Sequence, residues 1–191
     1  IKQVEANYFT LSRENGLSGK EKIFVALTFF CPGYLLEYLP FFTWFHELGH
    51  VLFAFLSGGK GFIFSSTLAF VSVDNVFVAA GGAFTQVLVG VFGFLVIGRY
   101  AIIGWPLAGM AVTCFFRAHL LTDMNWEAAL ITFYIMTSPI MLFLLGLMIY
   151  RFYRYGKQAL EERKEKKKRH KAAVAYLSAG SKSVRCFPVQ E

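Results

Sequence analysis

Long apolar runs, separated by short polar breaks, organise this chain. Residues 1–22 are a polar lead-in of mixed charge. Ile23 to about Tyr38 is the first apolar segment, interrupted by Pro32-Gly33. A second, Pro40 to Leu56, is followed by Gly58-Gly59, a pair that stops helices. Lys60 to Asn75 changes character, being rich in β-branched, aromatic and hydroxyl residues and bounded by Gly and Asp-Asn, which predicts a hairpin. Val76–Gly98 is long enough for a hydrocarbon core of about 30 Å, and Tyr100 to about Leu121 and Trp126–Tyr150 repeat the apolar pattern. The pattern predicts an all-α polytopic membrane protein with about five transmembrane helices. A small β-hairpin lies between the second helix and the third. The three regions are then a lead-in (1–22), a membrane domain (23–150) and a basic tail (151–191).

Composition supports that class. The 191 residues are 56% hydrophobic and 18% aromatic, with a mean hydropathy of +0.51, above the usual soluble domain. The net charge of +7 comes mostly from the stretch after Tyr150. From Arg151 to Lys171, Glu161, Glu162 and Glu165 are the only acids; beyond it, loose order is expected. The positive-inside rule places this run in the cytoplasm. Counting back through five spans then puts Arg99 on the same side, with the hairpin and the N-terminus opposite. The expected partners of the tail are anionic lipid headgroups. Nucleic acid is not expected, because the run lacks interleaved aromatics for base stacking. Cys31 and Cys114 fall in apolar runs and Cys186 in the tail, a scatter that predicts packing rather than a disulfide framework. No secretory signal pattern is visible, and the start at Ile1 without Met leaves room for an upstream segment.

Within the second apolar run stands His46-Glu47-Leu48-Gly49-His50. On a helix, residues four apart share a face, so both imidazoles can reach one ion. Glu47, one position along, is placed to take a proton from water at that ion. An acidic side chain in a bilayer costs roughly 2.5–3.5 kcal/mol on insertion scales, a cost that a metal or a buried partner offsets. The chemistry expected is a Zn2+ site with His46 and His50 as ligands and Glu47 as general base and acid. A catalytic zinc usually has three protein ligands. His119, Asp123 and Glu127 are the available acids and imidazoles further on. The alternative is that Asp123 or Thr122 caps the last helix, with Glu127 in its first turn. Thr43, His119 and Asn125 offer either a path for water or helix-packing hydrogen bonds, the latter favoured for Thr43.

His46 to Ala54 resembles the HExGHxxxA pattern of the site-2 protease family of intramembrane zinc metalloproteases, including Gly49 and Ala54. Ala79 to Gln86 is similar to that family's Ala-Gly-rich segment, and the hairpin falls where members carry one. The family's third ligand is the Asp of a Leu-Asp-Gly motif; Thr122-Asp123-Met124 keeps the Asp with neither neighbour. The resemblance spans roughly residues 35–135. It implies metal ligands His46, His50 and Asp123, catalytic Glu47, and a zinc-activated water that cleaves transmembrane segments of protein substrates. Gln86 is then a candidate donor to a substrate carbonyl. The hairpin either pairs with substrate as an added strand or anchors Phe62, Phe64 and Phe70 at the headgroups. Gly81-Gly82 is expected to permit close helix approach. Two rivals stand beside this reading: a membrane zincin using Glu127 as third ligand, and a non-catalytic metal transporter or scaffold for partner helices. One geometric condition applies. A full crossing by residues 100–121 puts Asp123 at its far end, so the motif must lie at mid-depth or that stretch must be partly re-entrant.

Overall fold

The computed structural model describes residues 17–97, 101–120 and 126–183. They are mostly helical, with one small antiparallel sheet. In chain order the elements are α1 (Gly19–Phe30), a 3-10 segment (Cys31–Tyr38), α2 (Pro40–Leu56), β1 (Gly61–Ser65), β2 (Leu68–Val71), α3 (Val76–Ile97), α4 (Ala101–Arg117), a 3-10 turn (Ala118–Leu120) and α5 (Glu127–Ser183).

Local chemistry sets these boundaries. Ser18 and Glu21 close a reciprocal capping box at the start of α1. Pro40 opens α2, where its missing N–H costs nothing. Gly58 ends α2 at φ 79°, a left-handed turn that glycine adopts without a Cβ penalty. Its N–H bonds Phe55 O at 3.0 Å and the Gly59 N–H bonds Ala54 O at 2.8 Å, satisfying the last carbonyls. The Asn75 side chain accepts from the N–H groups of Phe77 and Val78, both at 3.0 Å, and so starts α3. Between them, β1 and β2 pair with Phe62 opposite Phe70, and an irregularity falls between Ile63 and Ser65.

Small residues bring the helices together, as expected where van der Waals packing rather than water drives association. A Cβ on Gly49 of α2 would strike the Gly81 carbonyl of α3, and one on Gly33 would strike the α4 backbone. Val87, Phe94, Met110, Phe133 and Leu144 fill the interior that results. Outward, large apolar side chains stand exposed along whole helices, among them Phe92, Ile135 and Leu142. So much apolar surface marks a membrane or a partner.

Among the described residues, two helices, α3 and the first part of α5, are long and apolar enough to cross a membrane. A third span results if α1 with its 3-10 segment and α2 count as one, bent by 61°. The sequence count of five differs for two reasons. The first two apolar segments join at that bend, and α4 has 17 residues, short of the ~20 a crossing needs. In the tail, only the stretch after Lys171, expected to be loosely ordered, departs from expectation, being helical as far as Ser183. α5 continues without a break through Arg151 and past Lys171 to Ser183, 57 residues in all. Its basic part is tied to α1: the Gly19 N–H meets the Glu162 carboxylate at 3.1 and 3.2 Å, and Lys22 Nζ donates to Gln158 at 3.1 Å.

Candidate metal centre

α2 presents His46 and His50 on one face, as their spacing requires. Each ring is held through Nδ1. The His50 Nδ1–H donates to the carbonyl of Val78 at 2.7 Å, an oxygen that can only accept. His46 Nδ1 meets Gln86 Oε1 at 3.3 Å. The Gln86 amide nitrogen lies 3.4 Å from the carbonyls of both Glu37 and Phe42, which turns its oxygen towards the histidine. Hydrogen-bond partners thus assign the proton to Nδ1 in both rings. The two Nε2 atoms, each with a lone pair, face one another at 3.1 Å. Nitrogens bound to one tetrahedral zinc at about 2.0–2.1 Å lie just over 3 Å apart, so this pair fits zinc. Gly82 of α3 forms the floor, since a Cβ there would sit 2.5 Å from His50 Nε2 and 2.6 Å from His46 Nε2.

His46 of the pair opens onto a cleft of about 360 Å3, lined also by Glu47, Gln86 and Cys114 together with Glu37 and Arg117. Glu47 has no hydrogen-bond or ion-pair partner among the described residues. Thr67, in the hairpin turn, and Leu120, in the 3-10 turn after α4, complete the rim. The end of α4 therefore lies beside the motif of α2. One wall is a polar network that sequence reasoning did not assign. Glu37 accepts a short bond from the Thr113 hydroxyl and lies 3.8 Å from Arg117, whose other nitrogen donates to Tyr38 at 2.5 Å. The signal was present: Glu37 is a lone acid in an apolar run, the same pattern that drew attention to Glu47.

Of the other sequence candidates, Thr43 lines the cleft, and its hydroxyl bonds back to Pro40 O of its own helix at 3.1 Å rather than to a neighbouring helix. Gln86 is 5% exposed and both ends of its amide are engaged, so it supports His46 rather than reaching substrate. Cys114 is buried against Ala83 and Gln86. His119 is exposed in the 3-10 turn and does not line the cleft. Glu127 is exposed in the first turn of α5, where an acid complements the helix dipole. Asp123, Thr122 and Asn125 lie outside the described residues, as does Arg99. No family model matches the chain, and neither does any curated protein or solved structure.

Proposed function

We propose that this chain is a multi-pass membrane zinc endopeptidase that cleaves transmembrane segments of protein substrates, with its C-terminus in the cytoplasm. The observation that carries the reading is the approach of the two imidazoles, Nε2 to Nε2 at 3.1 Å, with Glu47 lining the cleft beside His46. His46 and His50 hold the ion, and Asp123 supplies the third ligand. Leu120 supports that choice, because it lines the same cleft as His46 and Glu47 and stands three residues before Asp123. Bound there, zinc would bring the pKa of a water molecule towards neutrality and polarise the scissile carbonyl. Glu47 takes the proton from the attacking water and passes it to the leaving amine. Gln86 and the Val78 carbonyl hold the ligand rings from behind and orient Nε2 of each towards the ion. The exposed basic residues of α5 meet anionic lipid at the cytoplasmic face, and nucleic acid has no part.

Zinc analysis of the detergent-solubilised chain tests the centre. About one zinc per chain is expected, lost in His46→Ala and Asp123→Ala and kept in Glu127→Ala. Retention in Asp123→Ala with loss in Glu127→Ala would move the third ligand to Glu127. Glu47→Gln keeps its zinc and loses cleavage of transmembrane peptides. A folded wild-type chain without zinc, or a Glu47→Gln chain that still cleaves, leaves the non-catalytic transporter or scaffold as the reading.

A further inference from the structure

Almost every polar side chain on the wall of the metal cleft is already engaged. Thr43 donates to Pro40 O, and the Gln86 amide nitrogen faces the carbonyls of Glu37 and Phe42. The Cys114 thiol is turned to Ala83 O and Gln86 Oε1, and Thr67 shares its hydroxyl with Ser65. Glu37 accepts from Thr113, and Glu47, as a carboxylate, has nothing to donate. Arg117 differs. One of its terminal nitrogens donates to the Tyr38 hydroxyl at 2.5 Å, and the other lies 3.8 Å from Glu37, an ion pair too long for a hydrogen bond. A guanidinium carries more N–H groups than these two contacts use, and Tyr38, having accepted, keeps its own O–H to give. Among the described residues, these two side chains hold the donors left over on the cleft wall.

The guanidinium is also fixed in place. Arg117 ends α4, and Glu37 and Tyr38 end the 3-10 segment, so its contacts join two elements whose backbones already touch at Gly33. A donor held in this way needs little ordering when a ligand arrives. Charge and the chemistry of the cut then decide what it binds. Glu37 already balances Arg117, so a neutral acceptor suits the cleft better than a second carboxylate. A transmembrane helix keeps its carbonyls bonded internally, and its peptide bonds become open to attack only where the helix is unwound. The freed carbonyls then lie in a site short of water and need donors. Arg117 offers them, and its charge makes such a bond stronger than one between neutral groups.

We propose that Arg117, together with the Tyr38 hydroxyl, binds a backbone carbonyl of the unwound substrate segment beside the scissile bond. The inference rests on the endopeptidase reading and deepens it, by naming a substrate-binding group that acts apart from the metal and from Glu47.

Kinetics of the zinc-loaded full chain in detergent test it, on a transmembrane peptide and on copies carrying one thioamide each at successive positions around the cut. A thioamide replaces the carbonyl oxygen with sulfur, a weak acceptor. In wild type, a thioamide at one position is expected to raise KM roughly three- to tenfold with kcat little changed, the effect of one hydrogen bond made equally in ground and transition states. Arg117→Lys keeps a cation beside Glu37 and loses the planar fork. It is expected to raise KM for the all-amide peptide by a similar factor, to abolish the thioamide effect, and to leave zinc content unchanged. Tyr38→Phe, at an exposed position, raises KM in the same way and serves if the lysine variant fails to fold. A thioamide effect that persists in both variants, an unchanged KM in both, or a loss confined to kcat overturns the proposal. Wild type that leaves the all-amide peptide uncut, or a Glu47→Gln chain that cuts it, overturns the endopeptidase reading itself and this inference with it.

Discussion

Gly82→Ala is the sharpest perturbation of the proposed metal centre, because the floor of the site is the missing side chain itself. The added Cβ would stand 2.5 Å from His50 Nε2 and 2.6 Å from His46 Nε2, whereas real Cβ atoms essentially never approach within 3.0 Å. At least 0.4–0.5 Å must therefore be given up by the backbone or the rings. The rings resist, being held from behind by Val78 and Gln86. Zinc sites tolerate about 0.2 Å in their ligand distances, so the shift exceeds what coordination allows. Overpacking of this kind costs roughly 1–3 kcal/mol of stability, which leaves a folded chain to measure. Zinc content and chelator competition provide the assay, with Gly93→Ala on the same helix as control. There the Cβ meets only the flexible end of Leu107, which can turn aside. Gly82→Ala is expected to lose zinc while Gly93→Ala keeps it. Wild-type zinc affinity in a folded Gly82→Ala chain would falsify the placement of the ion between the two Nε2 atoms.

Two further substitutions probe the shell around the site. Gln86→Leu removes the acceptor behind His46 and is expected to weaken zinc binding about 10–100-fold in a chelator titration; unchanged affinity rejects the supporting role. Arg117→Leu leaves the half-buried Glu37 carboxylate without its cation, a loss of roughly 1–3 kcal/mol in thermal unfolding, at the low end because Arg117 is partly exposed. Adding Glu37→Leu is expected to restore much of that loss, and strictly additive losses would show that the two side chains do not interact.

The sequence made the motif legible because helical spacing alone puts His46 and His50 on one face, and glycine pairs announce close approach. The hairpin was legible too, since its composition breaks sharply with the runs on either side. What escaped was whatever depends on chain segments meeting. Gln86 reads as a free amide in an apolar helix; only the fold brings it beside His46 and against the carbonyls of Glu37 and Phe42. Glu37 and Arg117 are 80 positions apart and become neighbours only because the 3-10 segment lies on α4. The number of spans was less legible for a related reason: hydropathy counts apolar runs, and it does not register that one run bends onto the next.

The unbroken α5 has a mechanical consequence. From Tyr150 to Leu177 a helix rises about 40 Å, so the exposed Tyr176 and Leu177 sit at a set stand-off from the last apolar turn. A helix clamped near its middle, as this one is by Gly19 and Lys22, behaves as a lever. A partner gripping its outer end would transmit a sideways pull to Leu144 in the interior, before the helix reaches Pro139, whose missing N–H makes the next turn easier to bend.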